Sequence, residues 1–357
     1  MTQTSIAKTS STQFGFKVAI DSQQTVGTAT GIGAYTRGLL DALSGAGISA
    51  VPLRMPQYDP WRFDRRVIWD QVLLPLCALG SGTQLLHCTS GSVPLLAPLP
   101  IVVTVHDVAW LRGIQSHAPA YARWYFGSFS AQRWRNARCV IVDSHFTRDE
   151  LLTFVALDPE RVVVVHPGVD AVFAQIARRP GPQALVLCVG TVERRKNAAV
   201  VIEALASVPG AMLVCVGPPT PYQAECEVLA ERLGITSRIR FAGYLEPAEL
   251  LGLYATATLA VAPSRYEGFG YAAAQALCAG IPLVAARSSS LIEVVQGDAP
   301  LLSPDEPIAW GDAMRAIIGA QADANLRAAE VRSGAIERFS WQRAAAETAA
   351  VYRTAVY

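Results

Sequence analysis

Short apolar runs rich in Val, Ile and Leu alternate along this chain with longer stretches in which apolar residues return every three or four positions. The first pattern suits buried strands and the second amphipathic helices, so their alternation predicts parallel α/β architecture. In the first half, strands are expected at Lys17–Ile20, Leu85–Cys88, Ile101–Val105, Cys139–Val142 and Arg161–Val165. In the second half they are expected at Ala184–Val189, Met212–Val216, Arg238–Phe241, Thr258–Ala262 and Pro282–Ala285. Between the two series lies Asp170–Gln183, whose Arg178-Arg-Pro-Gly-Pro182 cluster reads as a domain linker. Ala- and Arg-rich helices follow at 306–319 and 321–338, and a last one at 340–357 opens on Ser340 as N-cap. The organisation expected is a first domain over 15–172 joined by helix 340–357, and a second over 183–339.

A chain of 357 residues has room for two such cores, and 51% hydrophobic against 17% charged residues describes a folded protein. The net charge of +1 gives no global attraction to nucleic acid. Seven scattered cysteines without a CxxC pair read as reduced and buried, in a cytoplasmic protein, and build no zinc cluster. Residues 1–14, rich in Ser, Thr and Gln, read as a disordered tail and not as a signal peptide. No stretch reaches the roughly 20 apolar residues that a bilayer span requires.

Chemistry concentrates where strands run into loops. Arg265-Tyr-Glu-Gly-Phe-Gly-Tyr-Ala-Ala-Ala-Gln275 follows the strand ending near Pro263 and opens a helix at Gly268 and Gly270. Unpaired amides at such a helix start favour an anion. Glu267 cannot bind phosphate, so it is matched to a hydroxyl. A phosphate and a hydroxyl in one site suggest a sugar nucleotide. Val189-Gly-Thr-Val-Glu-Arg-Arg-Lys-Asn197 offers Arg195 and Lys196 to a diphosphate at another strand end. Thr104-Val-His-Asp107 places His106 where a strand enters a loop. The glycines of Gly31-Ile-Gly-Ala-Tyr35 do not match a dinucleotide fingerprint, because the spacing and the ribose-binding acid are wrong.

Together these segments resemble the retaining glycosyltransferase family 4. Glu267 through Gln275 resembles its Glu-x7-Glu signature, with Ala272 in place of the usual proline and Gln275 in place of the second glutamate. Gly31 to Thr36 resembles its Gly-Ile-Gly-x-Tyr-Thr motif, and Gly190 to Asn197 its Gly-x4-Arg-Lys-Asn motif. Val142-Asp-Ser-His-Phe-Thr-Arg148, Val165-His-Pro-Gly-Val-Asp170 and Ala286–Val295 are similar to further pieces in the same order. The resemblance implies a GT-B fold: two Rossmann-like domains facing a central cleft, with the C-terminal helix crossing back to the first. It implies donor binding by Gly31, Gly33, Arg195, Lys196, Gly268, Phe269, Gly270 and Gln275. Glu267, His106, Arg195 and Lys196 would carry catalysis.

The segment from Ala109 to Val142 mixes Arg112, Arg123, Arg133, Arg135 and Arg138 with aromatic residues and no acid. It reads either as an acceptor or membrane surface, with Tyr35, Arg112, Arg123 and Trp124 as weak candidates, or as an amphipathic helix with a buried aromatic face. No Asp-x-Asp pair occurs, so no metal is expected, and the nucleotide sugar would be a substrate with no cofactor beside it. The chain is similar to bacterial surface-polysaccharide mannosyltransferases, which implies a retaining hexosyltransferase that moves mannose or rhamnose from a nucleotide sugar, a GDP-sugar, in O-antigen or exopolysaccharide synthesis. Its acceptor would be a glycan or a polyprenyl-diphosphate-linked sugar. It would be cytoplasmic, with possible contact to the inner membrane and none to nucleic acid. A weakened homologue acting as a nucleotide- or glycan-binding partner subunit is the alternative.

Overall fold

The computed structural model describes residues 16–27, 31–59, 61–114 and 118–356. The tail expected over 1–14 lies outside the described residues.

The first domain is a parallel six-stranded sheet in the order β2-β1-β3-β4-β5-β6. Its strands are β1 (Phe16–Asp21), β2 (Ile48–Leu53), β3 (Leu85–Cys88), β4 (Ile101–Val105), β5 (Cys139–Val142) and β6 (Val162–Val164). Around them lie α1 (Gly31–Leu43), α2 (Phe63–Ile68), α3 (Leu74–Gly80), α4 (Ala120–Arg123), α5 (Ser130–Trp134) and α6 (His145–Phe154). Wide π turns at Trp69–Leu73 and Trp124–Phe129 fuse α2 with α3 and α4 with α5. Strand β2 was not expected from the pattern, since Pro52 argues against a strand interior. It forms the sheet edge, where a missing N–H breaks no ladder; Pro52 stands beside Ile20.

The short helix α7 (Ala171–Ala174) sits in the expected linker and is not free. Its Phe173 packs on Tyr254, and Arg178 donates to the Tyr254 carbonyl at 2.6 Å. The second sheet runs β12-β11-β10-β7-β8-β9, again all parallel. It comprises β7 (Leu185–Val189), β8 (Met212–Val216), β9 (Ile239–Gly243), β10 (Leu259–Ala262), β11 (Leu283–Ala286) and β12 (Leu301–Leu302). Its helices are α8 (Ala198–Leu205), α9 (Pro221–Arg232), α10 (Pro247–Thr256), α11 (Tyr271–Cys278) and α12 (Leu291–Val295). Two more, α13 (Pro307–Gly319) and α14 (Gln321–Arg338), complete this half.

Helix α15 (Trp341–Val356) then crosses back and packs on the first domain. Ser340 Oγ accepts from the Arg343 amide at 3.3 Å, the capping bond expected of it. Ala345, Ala349 and Tyr352 join Val18, Ile20 and Leu39 in one buried cluster. At its start, Trp341 lies so close to Gly38 and Gly168 that a Cβ on either would come within 2.4 Å of the indole. Two glycines therefore seat the tryptophan that turns the chain back. The resulting architecture is GT-B-like, as expected: two Rossmann-type sheets joined by a crossing C-terminal helix.

Candidate active site

In an open parallel sheet, ligands bind beyond the carboxyl ends of the strands. At the ends of β7 and β10 the second domain forms a narrow recess of about 10 Å³, bordered by Gly190, Thr191, Lys196, Ser264, Glu267 and Gly270. Asn197 follows the Arg194–Lys196 turn in a left-handed conformation, φ 57°, which brings the two cations toward β10. Its amide nitrogen locks this turn by donating to the carbonyls of Pro263 and Pro304. Lys196 Nζ then meets Glu267 Oε1 at 2.5 Å, and Arg195 meets Oε2 at 3.4 Å. Ser264 Oγ also donates to Oε1, at 2.7 Å. Burial raises the pKa of Glu267, but the charges of Lys196 and Arg195 outweigh it and hold the carboxyl below its ordinary value. The three consecutive serines before α12 do not cap that helix. They tie down the signature loop: Ser288 Oγ donates to the Ser264 carbonyl, Ser289 Oγ accepts from the Glu267 amide, and Ser290 Oγ donates to the Glu267 carbonyl.

Facing this loop from the end of β4, His106 holds Asp143 Oδ2 at 2.6 Å through Nδ1 and the Thr89 carbonyl at 2.9 Å through Nε2. Both partners can only accept, so both ring nitrogens donate and the imidazole is positively charged. Burial lowers its pKa, but Asp143 and the two hydrogen bonds reverse that and raise it above its ordinary value. Beside it a cavity of about 120 Å³ opens in the first domain, lined by Ile32, Ser90, Ser92, Trp110, Phe126 and Trp134 among others.

The two halves touch through backbone. A Cβ on Gly268 would lie 1.9 Å from the His106 carbonyl oxygen, so only glycine allows this approach without a shift. The Gly268 carbonyl accepts from Ser144 Oγ at 2.5 Å and Thr147 Oγ1 at 3.0 Å. The Tyr266 hydroxyl accepts from the Val108 amide at 3.2 Å. Glu293 of α12 reaches the start of α6, accepting from the His145 and Phe146 amides, and lies 3.2 Å from His166 Nε2.

Comparison with known proteins decides the family. Residues 31–173 match the model described as Glycosyltransferase Family 4, and residues 171–330 the model described as Glycosyl transferases group 1. The chain is 30% identical over 297 residues to the MMP α-(1→4)-mannosyltransferase of Mycolicibacterium hassiacum, covering 77% of this chain and 69% of that one. This chain is a member of the family 4 glycosyltransferases. It is also 30% identical over 244 residues to the D-inositol 3-phosphate glycosyltransferase of Corynebacterium glutamicum, covering 62% of this chain and 58% of the relative. The matched stretches span from just over half to about two thirds of the length of such relatives. Among solved structures, the sucrose-phosphate synthase from Thermosynechococcus elongatus has the same fold, with TM-score 0.75, 22% identity, and 94% and 98% of the two chains covered. The Anabaena protein Alr3699/HepE, solved with UDP and glucose, has TM-score 0.73, 17% identity, and 95% and 99% covered.

In this family 4 transferase the structure brings His106, Arg195, Lys196, Glu267, Gly268 and Gly270 to one cleft. Phe269 is buried against His166 and Phe339, behind the loop. Gly31 and Gly33 open α1; residues 28–30 just before them lie outside the described residues. Tyr35, a weak acceptor candidate, is buried: its hydroxyl faces Thr104 Oγ1 at 3.1 Å and its ring packs edge-on against His106. Gln275 does not border the recess; its amide oxygen accepts from the buried Tyr254 hydroxyl at 3.0 Å. The expected contact of His106 with a sugar would require exchanging one of its two hydrogen bonds. Arg112 pairs with Glu150 beside Tyr266, at the cleft. In the aromatic series between Ala109 and Val142, Tyr125 and Trp134 are buried and Trp110, Phe126 and Phe129 half-buried, while Tyr121, Arg123 and Trp124 are exposed. Asp143, Ser264 and Glu293 were not expected. The partners of Asp143 and Glu293 lie far along the sequence, whereas Ser264 binds Glu267 three residues on.

The cysteines are free, and all are buried except the half-buried Cys77. Among the described residues, no group of His, Cys, Asp or Glu could hold a metal ion, and no helix is long and apolar enough to cross a membrane.

Proposed function

We propose that this chain is a retaining glycosyltransferase that moves a hexose, mannose or rhamnose, from a GDP-sugar to a glycan or lipid-linked acceptor in surface polysaccharide synthesis. The observation that carries this reading is the Arg195–Lys196–Glu267 cluster at the strand ends, facing His106 across the cleft. A donor diphosphate would replace the Glu267 carboxylate as partner of Lys196 and Arg195, and Glu267 would turn to the sugar hydroxyls. The cavity beside His106 suits an acceptor sugar, with aromatic walls for its apolar face and serines for its hydroxyls. The mannosyltransferase relative supports the sugar; the solved neighbours that hold UDP or UDP-glucose keep the base a matter for measurement.

In the proposed step, the bond from the sugar's anomeric carbon to the diphosphate oxygen breaks while the acceptor oxygen bonds the same face of that carbon. The acceptor's proton passes to the departing phosphate oxygen. Arg195, Lys196 and the amides near Gly270 stabilise the charge that develops on the leaving group. The protonated His106 adds a positive charge on the acceptor side.

The test is a panel of GDP-, UDP- and dTDP-sugars read by nuclear magnetic resonance of the anomeric proton. The expected result is turnover of a GDP-sugar with retained configuration, persisting in excess EDTA. Lys196→Ala and Arg195→Ala should each abolish it in folded protein. Turnover within threefold of wild type in both variants, or an inverted product, would overturn the mechanism.

A further inference from the structure

We propose that Cys188 and Cys215 are a peroxide-sensitive thiol pair that closes to a disulfide beneath the diphosphate recess. Each is the fourth residue of its strand, β7 or β8, and the parallel register sets the two opposite one another. Residues paired in this way point to the same face of a sheet, and neighbouring strands lie about 4.7–4.9 Å apart. That spacing falls inside the roughly 4.4–6.8 Å between Cα atoms that a disulfide spans. The two buried thiols already hydrogen-bond each other. No other register pair among the described strands matches two cysteines.

The pair sits where a cross-link would disturb the site. Both residues line the recess at the strand ends, beside Lys196 and Glu267. Two residues after Cys188, Gly190 supports the Lys196 stem: a Cβ there would lie 3.5 Å from Lys196 Cδ and Cε. Disulfide closure draws two Cβ atoms to about 3.8 Å, roughly 1 Å nearer than the strand spacing. The end of β7 moves with it, and the Lys196 ammonium leaves the position in which it would meet a diphosphate. A misplacement of about 1 Å is enough to cost a site much of its function. That consequence rests on the proposed role of Lys196, whereas the cross-link itself does not.

The surroundings divide the roles of the two thiols. The hydrogen bond from Cys215 lowers the Cys188 pKa, and the Lys196 charge adds to this against burial and Glu267. The same bond and burial raise the Cys215 pKa well above its ordinary value. Cys188 is therefore the nucleophile and Cys215 the resolving thiol. The recess, about 10 Å³, admits a molecule of about water size, which suits hydrogen peroxide as the oxidant. The Cys188 thiolate attacks one peroxide oxygen, the O–O bond breaks, and the departing hydroxide leaves as water with the proton that Cys188 lost. The resulting sulfenic acid is attacked at sulfur by Cys215. Its S–O bond breaks, and the hydroxyl leaves with the Cys215 proton as a second water. The two sulfurs lose two electrons, and the peroxide is reduced to two waters. Cys226 lies near them, but burial pushes its thiol up to about 11 and Tyr222 hydrogen-bonds it, which removes it from competition.

The experiment exposes the reduced full chain to hydrogen peroxide, alkylates the remaining thiols with iodoacetamide under denaturing conditions, and maps them by mass spectrometry. The expected product has lost two hydrogens, with Cys188 linked to Cys215 and the other cysteines alkylated, and dithiothreitol reverses it. Affinity for GDP or UDP, measured by calorimetry, should fall at least tenfold on oxidation and return on reduction. Cys188→Ser and Cys215→Ala should each lose the link, and the affinity that each has before peroxide should survive it. The two substitutions differ in polarity, so a folding defect in one leaves the other to decide. Absence of the 188–215 link, or a link through Cys226 in its place, would overturn the proposal. A link that leaves nucleotide affinity within twofold would overturn the coupling to Lys196. Reduced protein that binds neither nucleotide would count against the donor reading, while the mapped link would still decide whether the thiol pair exists.

Discussion

The imidazole of His106 gains its charge from a neighbour that is remote in sequence. Asp143 arrives at the end of β5, next to β4, so the pair exists only once the sheet has formed. Its linkage sign is that of a raised pKa. The stability it contributes is fully present below the unfolded histidine value near 6.5 and is lost as pH rises through the higher folded value. Glu267 has the opposite sign: its contribution is present above the ordinary value near 4.5 and is lost as pH falls through the depressed one. Asp143→Asn should remove the alkaline slope, because burial alone would leave the ring neutral. Melting temperature followed from about pH 6 to 9 checks this, and an unchanged slope in the variant would contradict the assignment. At Gln275 the expected loss is structural. Gln275→Leu leaves the buried Tyr254 hydroxyl without its acceptor, a cost of about 1–2 kcal/mol, while donor affinity by calorimetry stays at the wild-type level. Arg195, Lys196 and Glu267 were legible in sequence because each sits in a dense motif at a strand end. The engagement of Gln275 with Tyr254 was not, because helix phase alone does not reveal which neighbour fills the space beside a position.

At the scale of elements, the periodic signals translated into strands and helices where burial is two-sided. The continuous apolar runs of β4 and β8 and the long C-terminal helices needed no tertiary information. Two of the four edge strands were the exception: β2 carries Pro52, and β12 is Leu301–Leu302 alone, too short for any period to emerge. The docking of α15 follows from the alanine-rich face that lets it approach closely, yet its register is set by a polar chain that no pattern foretells. Tyr352 meets His87 Nδ1 at 2.7 Å, His87 Nε2 meets Thr104 Oγ1 at 2.8 Å, and Thr104 meets Tyr35. Burial pushes the His87 pKa down to about 3, so the ring stays neutral and one nitrogen must accept. Tyr352→Phe leaves His87 with one partner in a buried site and should destabilise the fold by about 1–3 kcal/mol. Denaturant unfolding measures this, and a variant as stable as wild type would show that the chain of hydroxyls contributes nothing net.

Across the whole molecule, closure rests on a small set of polar contacts between two separately packed cores. The first domain presents the start of α6, and the second presents Glu293 to its unpaired amides and to His166. A carboxylate at a helix N-terminus gains from both the dipole and charged hydrogen bonding. Ser144 and Thr147 from the same helix grip the Gly268 carbonyl, so the contact that holds the domains together also fixes the signature loop. Glu293→Ala should therefore shift the molecule toward an open arrangement without unfolding either domain. Charged hydrogen bonds contribute about 1.5–3 kcal/mol each, and 1.4 kcal/mol is tenfold in population, so at least a tenfold shift is expected. Small-angle scattering should show a larger radius of gyration in the variant. Donor KM should rise, because the Gly268 loop loses its positioning when α6 moves away, while the melting temperature falls only slightly. An unchanged scattering profile alongside an unchanged KM would mean that the Tyr266 and Gly268 contacts hold the cleft closed by themselves.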